Sequence, residues 1–150
     1  MARACRVSLP TMRKVVESAE RRMPPAPDEL WRPYGTAGAV ADAACRAAVA
    51  LPARAVVVFT RSGRSAAILA ASRPAVPVVA FTPSRKTAAR MALHRGVEPM
   101  LLEEETEAEA MKRKAVRMLR RLRRVRAGDP LVLVYGEENA PCDRLRVVTA

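Results

Sequence analysis

The sequence predicts an α/β protein: a three-layer open sheet of five strands, mostly parallel with the last strand antiparallel, and helices on both faces. Three observations carry that reading. Apolar, β-branched-rich runs of strand length recur at 55–59, 76–81, 97–102, 131–135 and 145–148. Segments with helical spacing separate the first four, at 65–71, 84–95 and 106–126, so those strands need right-handed crossovers and lie parallel. Only about nine residues join the fourth run to the fifth, too few for a crossover helix, which puts the fifth strand antiparallel at an edge.

The elements follow in chain order. Met12, Val15, Val16, Ala19 and Met23 recur at three- and four-residue steps, which predicts an amphipathic helix over 10–23 with Ser8 available as its cap. Pro24, Pro25 and Pro27 end it and make a stiff connector. The chain therefore divides into a linker helix with its Pro-rich connector, 1–27, and a domain proper, 28–150. Trp31, Pro33 and Tyr34 form a small aromatic cluster, better suited to anchoring against the domain than to stacking bases. Residues 36–51 are alanine-rich and stopped by Pro52, the pattern of a buried helix. Gly96 and Gly128 each sit just past a helical segment, where a left-handed residue is wanted.

The long helix over 106–126 is charged. Glu103, Glu104, Glu105, Glu107 and Glu109 crowd its start, and nine basic residues fill the stretch from Lys112 to Arg126. Acid at the N-terminal end and base at the C-terminal end complement the helix dipole, at about 0.3–1 kcal/mol per exposed contact. Met111, Ala115, Met118, Leu122 and Val125 form the stripe expected to face the sheet, which sends the basic residues to the solvent flanks.

Bulk properties narrow the function classes. A chain of 150 residues holds one domain with a real core, and no apolar run approaches the roughly 20 residues a membrane span needs. The N-terminus lacks the continuous apolar core of a secretion signal, so a cytoplasmic chain is expected. Cys5, Cys45 and Cys142 are far apart and without C-x-x-C spacing, which argues for reduced thiols and against a zinc site. The net charge of +12 favours anionic partners without choosing among them. Against a nucleic-acid module stand the interleaved carboxylates and the scarcity of aromatics. His94, the only histidine, has no legible partner for acid–base work, and neither a Walker lysine nor G-x-G-x-x-G is present. No cofactor, metal or catalytic residue is expected.

The candidate site is the turn from the 55–59 strand into the next helix: Thr60, Arg61, Ser62, Gly63, Arg64 and Ser65. Gly63 lets main-chain N–H groups converge, while three hydroxyls and two guanidiniums surround an anion at the positive end of a helix. A phosphate is the expected ligand.

That loop, TRSGRSA, and the following SRPAVPVVAFTPSRKTAARMALHRGVEPML resemble the C-terminal domain of pyruvate kinase. The positions that carry the resemblance are Arg73, Pro74, Pro77, Thr82, Pro83, Arg95, Gly96 and Val97, with Ala127, Gly128 and Asp129 ahead of a hydrophobic strand. It extends from about Leu9 to the C-terminus. The resemblance implies a domain that binds phosphorylated effectors and packs subunits together, with phosphoryl transfer carried out in a separate barrel domain. Residue by residue, it implies that Thr60, Ser62 and Ser65 bond a phosphate, Gly63 admits the backbone, and Arg61 and Arg64 neutralise charge.

Where effector-regulated relatives bring a glycine-rich loop over the ligand, this chain has Gly136, Glu137, Glu138, Asn139, Ala140, Pro141 and Cys142. Two carboxylates there favour a monophosphate or a nucleotide over a sugar bisphosphate. The expectation is a free-standing domain that binds a phosphorylated metabolite and associates with itself or with a separate catalytic chain. The alternatives are a regulatory subunit or fragment of a split pyruvate kinase, or a basic RNA-binding module.

Overall fold

The computed structural model describes residues 8–22, 32–103, 107–136 and 142–150. The Pro24–Pro25–Pro27 connector, Trp31, Cys5 and the two carboxylates Glu137 and Glu138 lie outside the described residues. Strands β1 (Ala55–Phe59), β2 (Val78–Thr82), β3 (Val97–Leu101), β4 (Pro130–Tyr135) and β5 (Arg144–Thr149) form one sheet in the order β3-β2-β1-β4-β5. The first four are parallel, and β5 runs antiparallel to β4 at the edge, as the short connection requires.

Strand alternation sorts the core into two layers. Val56 and Val58 point to one face, where Ala41, Ala44 and Ala48 of α2 (Gly35–Ala50), Ala66, Ile68 and Leu69 of α3 (Arg64–Ala71) and Met91 of α4 (Arg85–Met91) meet them. Val57, Val79, Phe81, Leu131 and Leu133 point to the other, against Ala115 and Leu119 of α5 (Ala108–Arg121). Helices therefore lie on both faces, and the alanines of α2 let its backbone approach β1 and β4 closely. Each fully buried valine or leucine contributes about 1.5–3 kcal/mol, so the β-branched central strands supply most of the hold.

Two helices are shorter than their patterns predict. The segment read over 84–95 is helical only to Met91, because Leu93 and His94 donate backward to the carbonyls of Arg90 and Met91 and tighten the last turn ahead of Gly96, at φ +69°. His94 serves that turn through its backbone.

Helix α5 ends at Arg121 instead of continuing to 126. Arg123 takes a left-handed φ of 55°, its N–H bonds the Arg120 carbonyl at 3.0 Å, and the Arg124 N–H bonds the Leu119 carbonyl at 2.9 Å. This is a Schellman stop with arginine where glycine is usual. The stripe shifts accordingly: Leu119 is fully buried, whereas Leu122 is 48% exposed.

Lys112 departs from its predicted solvent flank. Its side chain is buried, with Nζ 3.7 Å from the centroid of the Tyr135 ring and 2.9 Å from Glu109 Oε1. The ring face and the carboxylate replace the water the ammonium gives up.

Helix α1 (Leu9–Arg22) forms where expected, with Ser8 at its start, and Glu20 pairs with Arg95 at 3.0 Å. At the far edge of the sheet, β3 carries Pro99. The bonds from Val78 N–H to Gly96 C=O and from Leu102 N–H to Thr82 C=O turn the even-numbered residues of β3 toward β2. Pro99 thus stands on the outward-facing set. Among the described residues no helix is long and apolar enough to cross a membrane.

Candidate functional site

The chain leaves β1 toward β2 and β3 on one side, while β4 and β5 lie on the other, so the topology reverses between β1 and β4. Open α/β sheets bind ligands in the crevice outside the carboxyl ends of the strands at such a reversal. The turn after β1 opens there, and it is the predicted Thr60 to Ser65 loop.

The loop's shape is set by hydrogen bonds of its own. Thr60 N–H donates to the Phe81 carbonyl at 3.0 Å, tying the loop to the end of β2. Gly63 N–H then donates to Thr60 Oγ1 at 2.9 Å, and Arg64 N–H reaches Ser62 Oγ at 3.4 Å. Gly63 sits at φ +82°, where a Cβ would stand 3.1 Å from Met91 Cγ and 3.3 Å from Thr87 Cγ2. Both conformation and space demand glycine.

Helix α3 starts at Arg64 with Gly63 as its cap and no side-chain cap bond. Ser65 is therefore a residue of the first turn and not the cap. The first-turn N–H groups project toward the loop with the positive end of the helix dipole behind them.

The structure groups the six predicted residues in one turn, with Gly63 buried beneath it, and gives them unequal tasks. Arg61, Ser62 and Arg64 are exposed, and Thr60 and Ser65 are half-buried. Thr60 spends an acceptor position inside the turn. Ser65 lies against Cys142, whose thiol burial pushes up while the Ser65 hydroxyl bond draws it down.

Three further residues hold the loop: Thr87 and Arg90, which carry no signal of their own in the sequence, and Cys142, read there only as a reduced thiol and as the end of the 136–142 segment. Thr87 Oγ1 donates to the Arg61 carbonyl at 2.9 Å, Arg90 Nη2 donates to the Ser62 carbonyl at 2.6 Å, and Cys142 Sγ lies 3.9 Å from the Phe59 carbonyl. Ser84 Oγ caps α4 by accepting from Thr87 N–H at 3.2 Å, which fixes Thr87 in turn. A signal was available, since parallel neighbours joined by crossover helices put the turns after β1 and β2 side by side.

Cys45 and Cys142 are free thiols, and burial, with Asp42 nearby, pushes the Cys45 thiol up to about 11. Among the described residues no group of three or more His, Cys, Asp or Glu side chains is placed to hold a metal ion. The arrangement offers main-chain donors, hydroxyls and guanidiniums to an anion.

Comparison with known proteins gives a family from one direction and a fold from another. The family model described as "Pyruvate kinase, alpha/beta domain" matches residues 38–148. Among solved structures, a pyruvate kinase from Cryptosporidium parvum superposes with a TM-score of 0.69 at 19% identity, over 96% of this chain and 26% of that one. At that identity the likeness is one of fold. This chain thus spans about a quarter of the length of that pyruvate kinase. A comparison with curated proteins returned no match.

Proposed function

The chain belongs to the pyruvate kinase alpha/beta domain family, and from that premise we propose that it is a cytoplasmic regulatory module, binding a phosphorylated metabolite at Thr60 to Ser65 and mediating subunit association. The observation that carries the reading is the placement of the loop. A turn rich in hydroxyls and arginines opens at the reversal between β1 and β4, ahead of a helix whose cap residue, Gly63, has no side chain to offer its first-turn N–H groups. In this reading Ser62 and Ser65 bond the phosphate oxygens, Arg61 and Arg64 neutralise their charge, and Gly63 admits the main chain. If, as the resemblance implies, the segment with Glu137 and Glu138 takes the place of the loop that covers the ligand in effector-regulated relatives, its carboxylates would favour a monophosphate or a nucleotide over a bisphosphate.

A panel of phosphorylated metabolites and nucleotides, read by thermal shift, tests the site. A ligand at about 100 times its Kd stabilises the fold by about 2.7 kcal/mol. The variant combining Ser62→Ala, Ser65→Ala and Arg64→Glu should give no shift with that ligand; a response equal to wild type places the site elsewhere.

Association is proposed through β5. Ala150 N–H bonds the Asp129 carbonyl, so by alternation the backbone groups of Val147 face away from β4 at an uncovered edge. Light scattering should show a dimer that Val147→Pro converts to monomer. A wild-type chain monomeric at high micromolar concentration rules the edge out.

A second reading rests on the coverage figures. Because this chain matches only 26% of the solved pyruvate kinase, it also fits a subunit or fragment of a split enzyme, whose barrel would be a separate chain. In that case pyruvate formation from phosphoenolpyruvate and ADP appears only when a barrel chain is added.

A further inference from the structure

A second concave surface lies away from the loop, between α5 and β5. It is an open groove of about 450 Å³, within the 300–1,000 Å³ typical of small-molecule sites. Val116, Val148 and Ala150 contribute its apolar floor, and Arg113, Arg117 and Arg120 form one wall. The wall follows from sequence spacing, since steps of four and three place three guanidiniums along one face of a helix. None of the three has an acidic partner among the described residues.

The groove is asymmetric along its length. At one end Glu109 accepts from Lys112 Nζ at 2.9 Å and from Arg146 Nη1 at 2.6 Å, a carboxylate that ties α5 to β5 and offsets the charge there. At the other end Arg117 and Arg120 stand beside Thr149 and the terminal carboxylate of Ala150. At the clamp the carboxylate is taken up by Lys112 and Arg146, while at the far end two guanidiniums outnumber one carboxylate, with aliphatic surface between.

We infer that this groove holds a single-chain aliphatic amphiphile with a phosphate head, the head on Arg117 and Arg120 and the chain over Val116 and Val148. Guanidinium forks match phosphate oxygens bidentately, and several of them suit a doubly charged head. The floor is aliphatic and no aromatic side chain lines the groove, so the apolar part of the ligand is a chain and not a base. The volume is that of a small ligand, which sets the groove apart from a surface for nucleic acid. This inference does not depend on the loop.

The test is calorimetric titration of the full chain with dodecyl phosphate below its critical micelle concentration, with circular dichroism to verify that the fold is kept. Saturable binding at one ligand per chain is expected, at least tenfold tighter than for inorganic phosphate. It should weaken at least tenfold in both Arg117→Glu/Arg120→Glu and Arg117→Gln/Arg120→Gln, and should be unchanged in Arg64→Glu. Each of four results overturns the inference: no saturable binding, affinity equal to that for inorganic phosphate, loss in Arg64→Glu in place of the groove variants, or groove-dependent binding of a uridylate oligomer or of phosphatidylglycerol vesicles without binding of the monomeric amphiphile.

Discussion

The turn after β1 and the groove beside α5 both present positive charge to solvent, and they are made of different materials. In the turn, the backbone does the positioning: Gly63 at φ +82°, an internal bond to Thr60, and anchors from Thr87 and Arg90 fix its main-chain groups. In the groove, the groups are long arginine side chains above a sheet face, and one clamp through Glu109 does the fixing. A site of the first kind discriminates by geometry and is spoiled by small backbone changes. A site of the second kind discriminates by charge, tolerates substitution, and weakens with salt.

Gly63→Ala is the most severe way to probe that contrast. The left-handed φ and the 3.1 Å approach to Met91 should together cost about 1–3 kcal/mol in urea unfolding. Arg117→Gln, a surface change in the groove, should stay within about 0.5 kcal/mol. Equal losses would erase the distinction. Next in size is Thr87→Val, which keeps the volume but leaves the Arg61 carbonyl without its 2.9 Å donor; a loss of about 1 kcal/mol is expected, with faster amide exchange in the turn.

How much of this was legible in the sequence depends on what kind of signal each feature leaves. The strands stood out because β-branched runs mark them, and β1 is bounded as read. The turn stood out because glycine, hydroxyls and arginines fall together in one short stretch. The ends of α4 and α5 did not: α4 gives way to a tighter turn after Met91, and α5 stops on Arg123, left-handed at φ 55°. A reading that looks for glycine finds Gly96 and Gly128 and runs α5 on toward the latter. The misplaced stripe follows from the same error, since a helix carried past Arg121 assigns Leu122 to the core in place of Leu119. Nor does composition distinguish Lys112, buried over Tyr135, from the exposed arginines around it. That difference is made by the partner strand.

The same stop supplies a smaller test on the groove side. Arg123→Gly relieves the left-handed strain and should stabilise the protein by about 0.5 kcal/mol, after the entropy glycine adds to the unfolded chain. A destabilisation would mean that the Arg123 side chain holds the α5 end by contacts stronger than the strain.

The smallest effect is a pH dependence. The hydrogen bond from Lys112, followed by the charges of Lys112 and Arg146, holds the Glu109 carboxyl below its ordinary value of 4.5. Its contribution is therefore complete above that value and is lost as pH falls through the lowered one. Between pH 7 and pH 3 the wild type should lose slightly more stability than Glu109→Gln, measured by denaturant midpoint. If the two fall in parallel, the clamp between α5 and β5 contributes nothing measurable.

Pro99 has a consequence for growth. A sheet with two open rims invites unlimited addition, each copy leaving a fresh rim for the next. Here the β3 rim lacks an outward amide at Pro99, while the β5 rim keeps all of its own. Two copies meeting through β5 would each turn a proline-bearing rim outward, and the assembly would terminate at a pair. Were copies to meet through β5 in this way, one imino acid in the opposite edge strand would give the sheet a valence of one.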